Sequence, residues 1–478
     1  MDIINQLPME ILEDIFFETL PPSPLEDRTN IYNRHPLKGK CHDPRDVIIA
    51  TCTRWKTIAT SSPKLWTRLQ IDTEGHKDIQ VIEELLNRSG VMPLDVLLDV
   101  ESPTTYARKA KQRKRFETKV LDLLRNHFWR LRVFSVSIVG HYIEHDTVFV
   151  KLFPPDTRAD FLKLEQFIIS CSIDPEEDLL PVDGLGIIHA PNLAYFKITA
   201  NLTAIWDAFT PQTMNGLKEV YFNFFEHPCL EAVEMLSTCL QLQTLCWECD
   251  WGVFPRGLPS KMVYPDLRSL TMDLQTTEQC DLINEEFYTP QLESLNIRGC
   301  HISWIKPFLN KNSQIHNLGL NMIKAEESAE DVFSRFTDLR SLRLRNSQLS
   351  HSFFATFLSI SEDGRVILPH IEEFELAGSP LKPTKIGMEP VLLEVIRSRV
   401  GVTEGPIFRF SLLHVRPSEW DDLMELQRKH PYSIEINNNV QCYDKSVAEE
   451  LKPANVVTID VLEEGITDAM EFLFLESQ

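Results

Sequence analysis

The sequence predicts an α/β protein: an all-helical segment at the N-terminus, then a long array in which strands and helices alternate. Three observations lead there. Residues 7–20, LPMEILEDIFFETL, carry apolar residues at helical spacing and stop at Pro21-Pro22. Past residue 90 one pattern keeps returning, an apolar residue followed three and five places later by two more. The 478 residues are 43% apolar, ample for buried cores and too long for one ordinary domain.

In the first segment Pro8 suits the opening helical position, where its missing N–H costs nothing. Ile11, Leu12, Ile15 and Phe16 form one apolar stripe, with Glu10, Glu13, Asp14 and Glu18 mostly elsewhere. Residues 21–41 are polar, contain prolines and show no period, so they read as a loop. A second helix start follows, with Asp43 as N-cap, Pro44 at the first position and Asp46 in the first turn. Val47, Ile48, Ala50, Cys52, Trp55, Ile58 and Ala59 fill a small core between short helices, and Ser62-Pro63 breaks the pattern before Leu65-Trp66.

Taken in order, Leu7-Pro8, Glu10-Ile11-Leu12, Ile15-Phe16, Cys52, Arg54-Trp55, Ile58-Ala59, Ser62-Pro63 and Leu65-Trp66 strongly resemble the F-box family. That family shows a Leu-Pro opening, a Glu-plus-aliphatic helix, an Ile-Phe pair, a Cys-x-x-Trp and a closing Leu-Trp. The stretch 21–41 departs from it, because the family joins its first two helices tightly. The resemblance implies docking on a Skp-type adaptor, and through it on cullin and RING subunits, by Leu7, Pro8, Ile11, Leu12, Ile15, Phe16 and Trp55. It sets an F-box domain at 1–70, followed by a connecting region at 71–130 that offers one strand, 94–100, as a first or capping repeat.

The recurring pattern is Leu-x-x-Leu-x-Leu with aliphatic or aromatic substitution. It begins at Leu131, Leu164, Leu193, Leu217, Leu242, Leu267, Leu292, Ile315, Leu339 and Ile371, with gaps of 33, 29, 24, 25, 25, 25, 23, 24 and 32. The first, fourth and sixth positions point into a stack while polar residues alternate outward, as a strand requires. One unit cannot cover its own apolar side, but stacked units share a core and add a parallel strand each. The spacing and pattern resemble the leucine-rich-repeat family, which implies a solenoid over 131–440 with strands inside and helices outside. The family's Asn or Cys after the strand is found only at Asn201 and Cys300; Ser172, Asp250, Gln275 and Ile323 fill other copies, so an irregular ladder is expected. Two further strands are expected at 408–412 and 433–436, and 441–478 is left as a cap or tail. F-box plus repeats on a chain of this size is similar to the large F-box families of fungi.

Net charge is −22, which disfavours nucleic acid and anionic membrane surfaces as partners. The N-terminus lacks the charge pattern of a secretory signal, no apolar run is long enough to span a bilayer, and the ten cysteines are scattered. A cytoplasmic or nuclear protein with buried thiols is expected. His141-x-x-Glu144-His145 matches an inverted zinc-peptidase motif, but it follows a repeat strand directly and belongs in a loop. Cys246-x-x-Cys249 has metal-ligand spacing without a second pair to complete a site. Residues 108–115, RKAKQRKR, fit a nuclear-import patch or, more simply, a solvated helix face. Gly184-Leu-Gly186 lacks the third glycine of a dinucleotide loop.

The expected function is the substrate receptor of a Skp–cullin–F-box ubiquitin ligase, with no catalytic residue, metal or cofactor of its own. The alternatives are a non-degradative repeat scaffold and, remotely, a zinc peptidase. A protein target is expected on the outward strand residues, with Tyr221, Glu248, Asp273, Asn296, Arg298, Arg343 and Arg345 as candidates.

Overall fold

In the computed structural model the apolar stripe at the N-terminus is a helix, Met9–Glu18, with Pro8 at its N-cap rather than inside its first turn. The structure describes residues 4, 6–20, 43–73, 79–101, 107–139, 145–172, 184–199, 205–224, 235–249, 261–325, 330–358, 367–377, 408–413, 425, 428–429 and 434–437. The expected loop at 21–41 lies outside them, as does the expected tail at 441–478. The architecture is α/β, dominated by parallel strands. Two compact units divide the chain, one chiefly Met1–Asp174 with Val182–Leu193, the other chiefly Ala194–Ala448.

Among the described residues the first unit includes the helices Met9–Glu18, Pro44–Thr51 and Thr53–Ser61 and a 3-10 turn at Pro63–Trp66. Asp43 caps the second helix by accepting from Arg45 N at 3.0 Å. Cys52 caps the third, its Sγ accepting from Trp55 N at 3.5 Å, which gives the Cys-x-x-Trp spacing a physical reason. Leu12, Phe16, Leu20, Ile48, Ile58, Ala59, Leu65 and Trp66 form the shared core.

Strand β1 (Arg68–Asp72) follows at once, then β2 (Leu94–Glu101) and β3 (Leu131–Val139). Past β4 (Arg158–Asp160) come β5 (Gln166–Ser172) and β6 (Ile187–His189). β1, β2, β3 and β5 pair in parallel in that order, and β4 pairs with β6. Strand pairing therefore runs through the stretch read as a connecting region. The alternation of Leu69 and Ile71 was the signal for β1, and it is too short to separate from background. Helices Ile79–Arg88, Ala107–Arg125 and His145–Leu152 intervene. The basic run 108–115 is thus helical. Buried Arg130 donates to Leu86 O (2.9 Å), Met92 O (3.2 Å) and Ser89 Oγ (2.9 Å), satisfying backbone acceptors where Ile79–Arg88 ends. Gly186 is required by close packing: its N–H donates to Phe153 O, and a Cβ there would collide with Pro154 O and Thr157 O.

Among the described residues, the second unit carries one long strand per sequence repeat, with short strands between some of them. These are β7 (Tyr195–Thr199), β8 (Glu219–Phe224), β9 (Thr244–Cys249), then, past the short β10 (Met262–Val263), β11 (Ser269–Asp273). After β12 (Phe287–Tyr288) come β13 (Ser294–Arg298), β14 (Asn317–Asn321), the short β15 (Lys324–Ala325), and β16 (Ser341–Arg345). β17 (Gln348–Leu349), β18 (Glu373–Ala377), β19 (Phe408–Leu413) and β20 (Ile434–Asn437) complete the set. The two late strands fall where the pattern placed them, within a residue or two. From β7 onward the long strands pair in parallel without a register shift. The fourth and sixth residues of each repeat, such as Leu245 with Trp247 and Leu295 with Ile297, are buried. Helices Thr277–Glu286 and Ile302–Lys311 join successive strands, the first held by a capping box of Thr276 and Gln279.

Just past β13, β14 and β16 the chain turns left-handed at Gly299 (φ 90°), Met322 (53°) and Asn346 (48°). Each of these residues donates its N–H to the next strand, to Asn321 O, Arg345 O and Ala377 O. The residue that follows points inward in all three copies, as Cys300, Ile323 and Ser347. Ser347 ties two strands together at this turn: its Oγ accepts from Ile323 N at 3.2 Å and donates to Arg345 O at 2.8 Å.

Candidate functional site

Two surfaces carry the residues singled out from the sequence. The first is on the helical module. The stripe predicted for docking divides in two, because one helix face must fill the module's own core. Leu12 and Phe16 point inward, and Phe16 packs on Trp55 with ring centroids 4.8 Å apart. Leu7 and Trp55 are half-buried against the same core, and the Leu7 carbonyl accepts from Arg54 Nη2 at 2.6 Å. Pro8 is exposed. Ile11 and Ile15, one turn apart, keep 46% and 44% of their surface in solvent, and Met9 and Val47 are exposed as well. Leu12, Phe16 and Trp55 thus build the module, while Ile11 and Ile15 remain available to a partner. The rest of the motif is explained by contacts within it: Trp66 Nε1 donates to Ala59 O at 2.8 Å, and Lys64 pairs with Asp14 at 2.8 Å while lying over the Phe17 ring.

The second surface is the outward face of β7–β18. The register aligns Lys197, Tyr221, Cys246, Thr271, Asn296, Gly319, Arg343 and Glu375 as one row across eight strands. The row read from the sequence is therefore a physical row. A second holds Asn223, Glu248, Asp273, Arg298, Asn321 and Arg345, one per strand from β8 to β16. The Tyr195 and Tyr221 rings pack tilted by 34°, with centroids 5.2 Å apart. Asn223 Nδ2 donates to Glu248 at 3.3 Å, and Tyr221 Oη donates to Glu219 at 3.3 Å. Burial holds the Lys197 ammonium below its usual range against the pull of neighbouring Glu248.

Asp273, expected on this surface, is not accessible. It is 2% exposed, against 44% for the Arg298 side chain 3.9 Å away. The reason is the turn after β13: a Cβ at Gly299 would stand 3.0 Å from Asp273 Oδ1, so the backbone itself closes over the carboxylate. Thr199 and Ala377 are buried too. The three arginines all have partners. Arg343 reaches Glu373 (3.1 Å) and Glu375 (3.7 Å), and Arg345 makes a forked pair with Glu375 at 2.6 and 3.1 Å, which raises its pKa.

The remaining motifs gain nothing from their surroundings. His141 and Glu144 lie outside the described residues, and His145 opens a helix. Cys246 sits mid-strand with its thiol pushed up to about 12 by burial and nearby Glu248. Buried Cys171 and Cys239 are raised to about 12 in the same way, so these are inert thiols. Among the described residues no three His, Cys, Asp or Glu side chains cluster as metal ligands, and no helix is long and apolar enough to cross a membrane.

A scan against protein-family models finds no match. A search of curated proteins finds none either.

Proposed function

We propose that this chain is the target-binding subunit of a Skp–cullin–F-box ubiquitin ligase: an F-box module that docks on a Skp-type adaptor, followed by a leucine-rich-repeat solenoid that holds a protein target. Such a subunit performs no chemistry. It raises the local concentration of its target beside the transferring machinery, a gain of effective concentration without new reactive groups. The observation that carries the reading is the division of the N-terminal motif. Its inward residues account for a small helical core, yet Ile11 and Ile15 stay exposed on the same helix. Met9 and Val47 of the same module are exposed as well, apolar surface that a partner can cover. Covering such a side chain at an interface gains roughly 1.5–3 kcal/mol. One strand per repeat, each with a polar outward row, supports the second half of the proposal.

The test is Ile11→Glu with Ile15→Glu, read by co-purification with a Skp-type adaptor. Both positions are exposed, so the variant keeps the wild-type circular dichroism and melting temperature. Adaptor capture is expected to fall to background. Full capture by the folded double variant overturns the assignment.

A further inference from the structure

The outward face of β7–β18 differs in electrostatic sign between its two ends, and exposure decides which sign a ligand meets. At the β16 end each arginine outreaches the carboxylate that pairs with it. Arg343 and Arg345 are 51% exposed against 11% for Glu375. Arg298 likewise overlies buried Asp273. Solvent there meets guanidinium edges, held in place by carboxylates beneath them. At the β8–β9 end two carboxylates, Glu219 and Glu248, stand with one cation, Lys197, beside the Tyr195–Tyr221 pair; all three are half-buried, and burial penalises the charged form of Lys197. Between the ends, Arg298 apart, the outward residues include the short and neutral Ser269, Thr271, Ser294, Asn296, Asn317 and Gly319. Asn296 lies over Gly319 so closely that a Cβ there would collide with its Oδ1. This middle stretch offers hydrogen bonds without long side chains.

We propose that the target is recognised through one extended, charge-polarised segment crossing the strands, its basic end over Tyr221, Glu219 and Glu248 and its acidic end over Arg298, Arg343 and Arg345. This rests on the reading of the strand face as the target-holding surface. The pairing order places four strand steps between β9 and β16 and five between β8 and β16. At about 4.8 Å per step these span about 19–24 Å. An extended peptide covers about 3.3 Å per residue, so the cationic and anionic residues should lie about six or seven apart. The half-exposed Tyr221 suits the cation, through its ring and the adjacent carboxylates. The arginines suit a carboxylate or phosphate through forked donors.

The experiment is selection of a phage-displayed library of random twelve-residue peptides on the immobilised full chain. Enriched peptides are expected to pair a Lys or Arg with an Asp or Glu at that spacing, and a synthetic winner to bind measurably by fluorescence anisotropy. Glu219→Lys with Glu248→Lys is expected to weaken it at least tenfold, and replacing the peptide's basic residue by Glu to restore binding to that variant. Arg343→Glu with Arg345→Glu is expected to fail on the opposite end, with rescue by a basic substitution there. Rescue excludes simple misfolding as the cause. No enrichment, winners without the paired charges, or binding indifferent to both reversals overturns the proposal. Adaptor capture is read separately through Ile11 and Ile15, so failure here leaves the adaptor result standing, and failure there leaves this one.

Discussion

The strands β2–β5 and the strands β11–β16 solve the same packing problem by different means. Two repeats in the first region start 33 residues apart, and its long strands run seven to nine residues. Its core is aromatic: Phe134 lies 6.1, 6.4 and 5.7 Å from Phe128, Phe161 and Phe167, and Phe153 joins the same cluster. In the second region repeats start 23–25 residues apart and every long strand has five residues. There, side chains of one repeat hydrogen-bond to the next: Thr289 Oγ1 to Asn312 Oδ1 at 3.0 Å, Asn284 to the helix Ile302–Lys311, and Ile323 N to Ser347. A fixed period favours such bonds, although the first region has its own, from Arg130 to Ser89 and from Arg132 to Asp95. Ring packing tolerates displacement and suits variable linkers.

The comparison is broken or upheld first at Phe134. It is fully buried amid rings, so Phe134→Ala leaves a large void and is expected to cost about 3–5 kcal/mol. Phe134→Leu, which stays apolar and gives up three carbons rather than six, is expected to cost about 1–2 kcal/mol. Chemical denaturation of both variants checks this. Equal losses would mean that the aromatic region is as directional as the other.

Next comes Asn284, where similar volume should not rescue. Pro307 lies inside the helix Ile302–Lys311 and disturbs its ladder. The Asn284 amide enters that gap, donating to Trp304 O at 2.7 Å while its Oδ1 accepts from Phe308 N at 2.9 Å. These are the two groups an unbroken helix would join. Asn284→Leu keeps the bulk but strands a buried donor and a buried acceptor, for an expected loss of about 2–4 kcal/mol. A loss below about 1 kcal/mol would show that period brings no directional dependence.

These devices differ in how far the sequence shows them. The repeat starts, the outward row and β19 and β20 were legible, because apolar spacing of two and five is a local signal that burial enforces. The split of the docking stripe was not. Leu12 and Ile11 are adjacent and equally apolar, and only the packing of Ile58, Leu65 and Trp66 decides which turns inward. Asp273 was misjudged for a related reason: its exposure depends on the backbone turn at Gly299, set by a residue in the next repeat. Asn284 gave no signal, because its partners lie 20 and 24 residues away in a helix whose break comes from Pro307.

The finest test concerns the left-handed turns that give β13, β14 and β16 their common exit. Gly299 takes that conformation without penalty, and a side chain there would also meet Asp273 Oδ1 at 3.0 Å. Met322 takes it at φ 53° although it has a Cβ, a cost of about 1–2 kcal/mol. If the exit turn belongs to the repeat rather than to the residue, Met322 is held there by its neighbours, through its N–H to Arg345 O at 2.8 Å. Met322→Gly then removes the strain, loses about 0.5–1 kcal/mol to greater freedom of the unfolded chain, and gives up the contact of Arg298 Nε with Met322 Sδ at 3.3 Å. The expected net is a gain of about 0.5 kcal/mol. Gly299→Ala is expected to lose about 1–2 kcal/mol by the same logic run backwards. Denaturation of the pair reads both signs at once. A loss at Met322→Gly as large as that at Gly299→Ala would place the stabilising role of Met322 in its side chain against Arg298, and the regular period would no longer explain the turn.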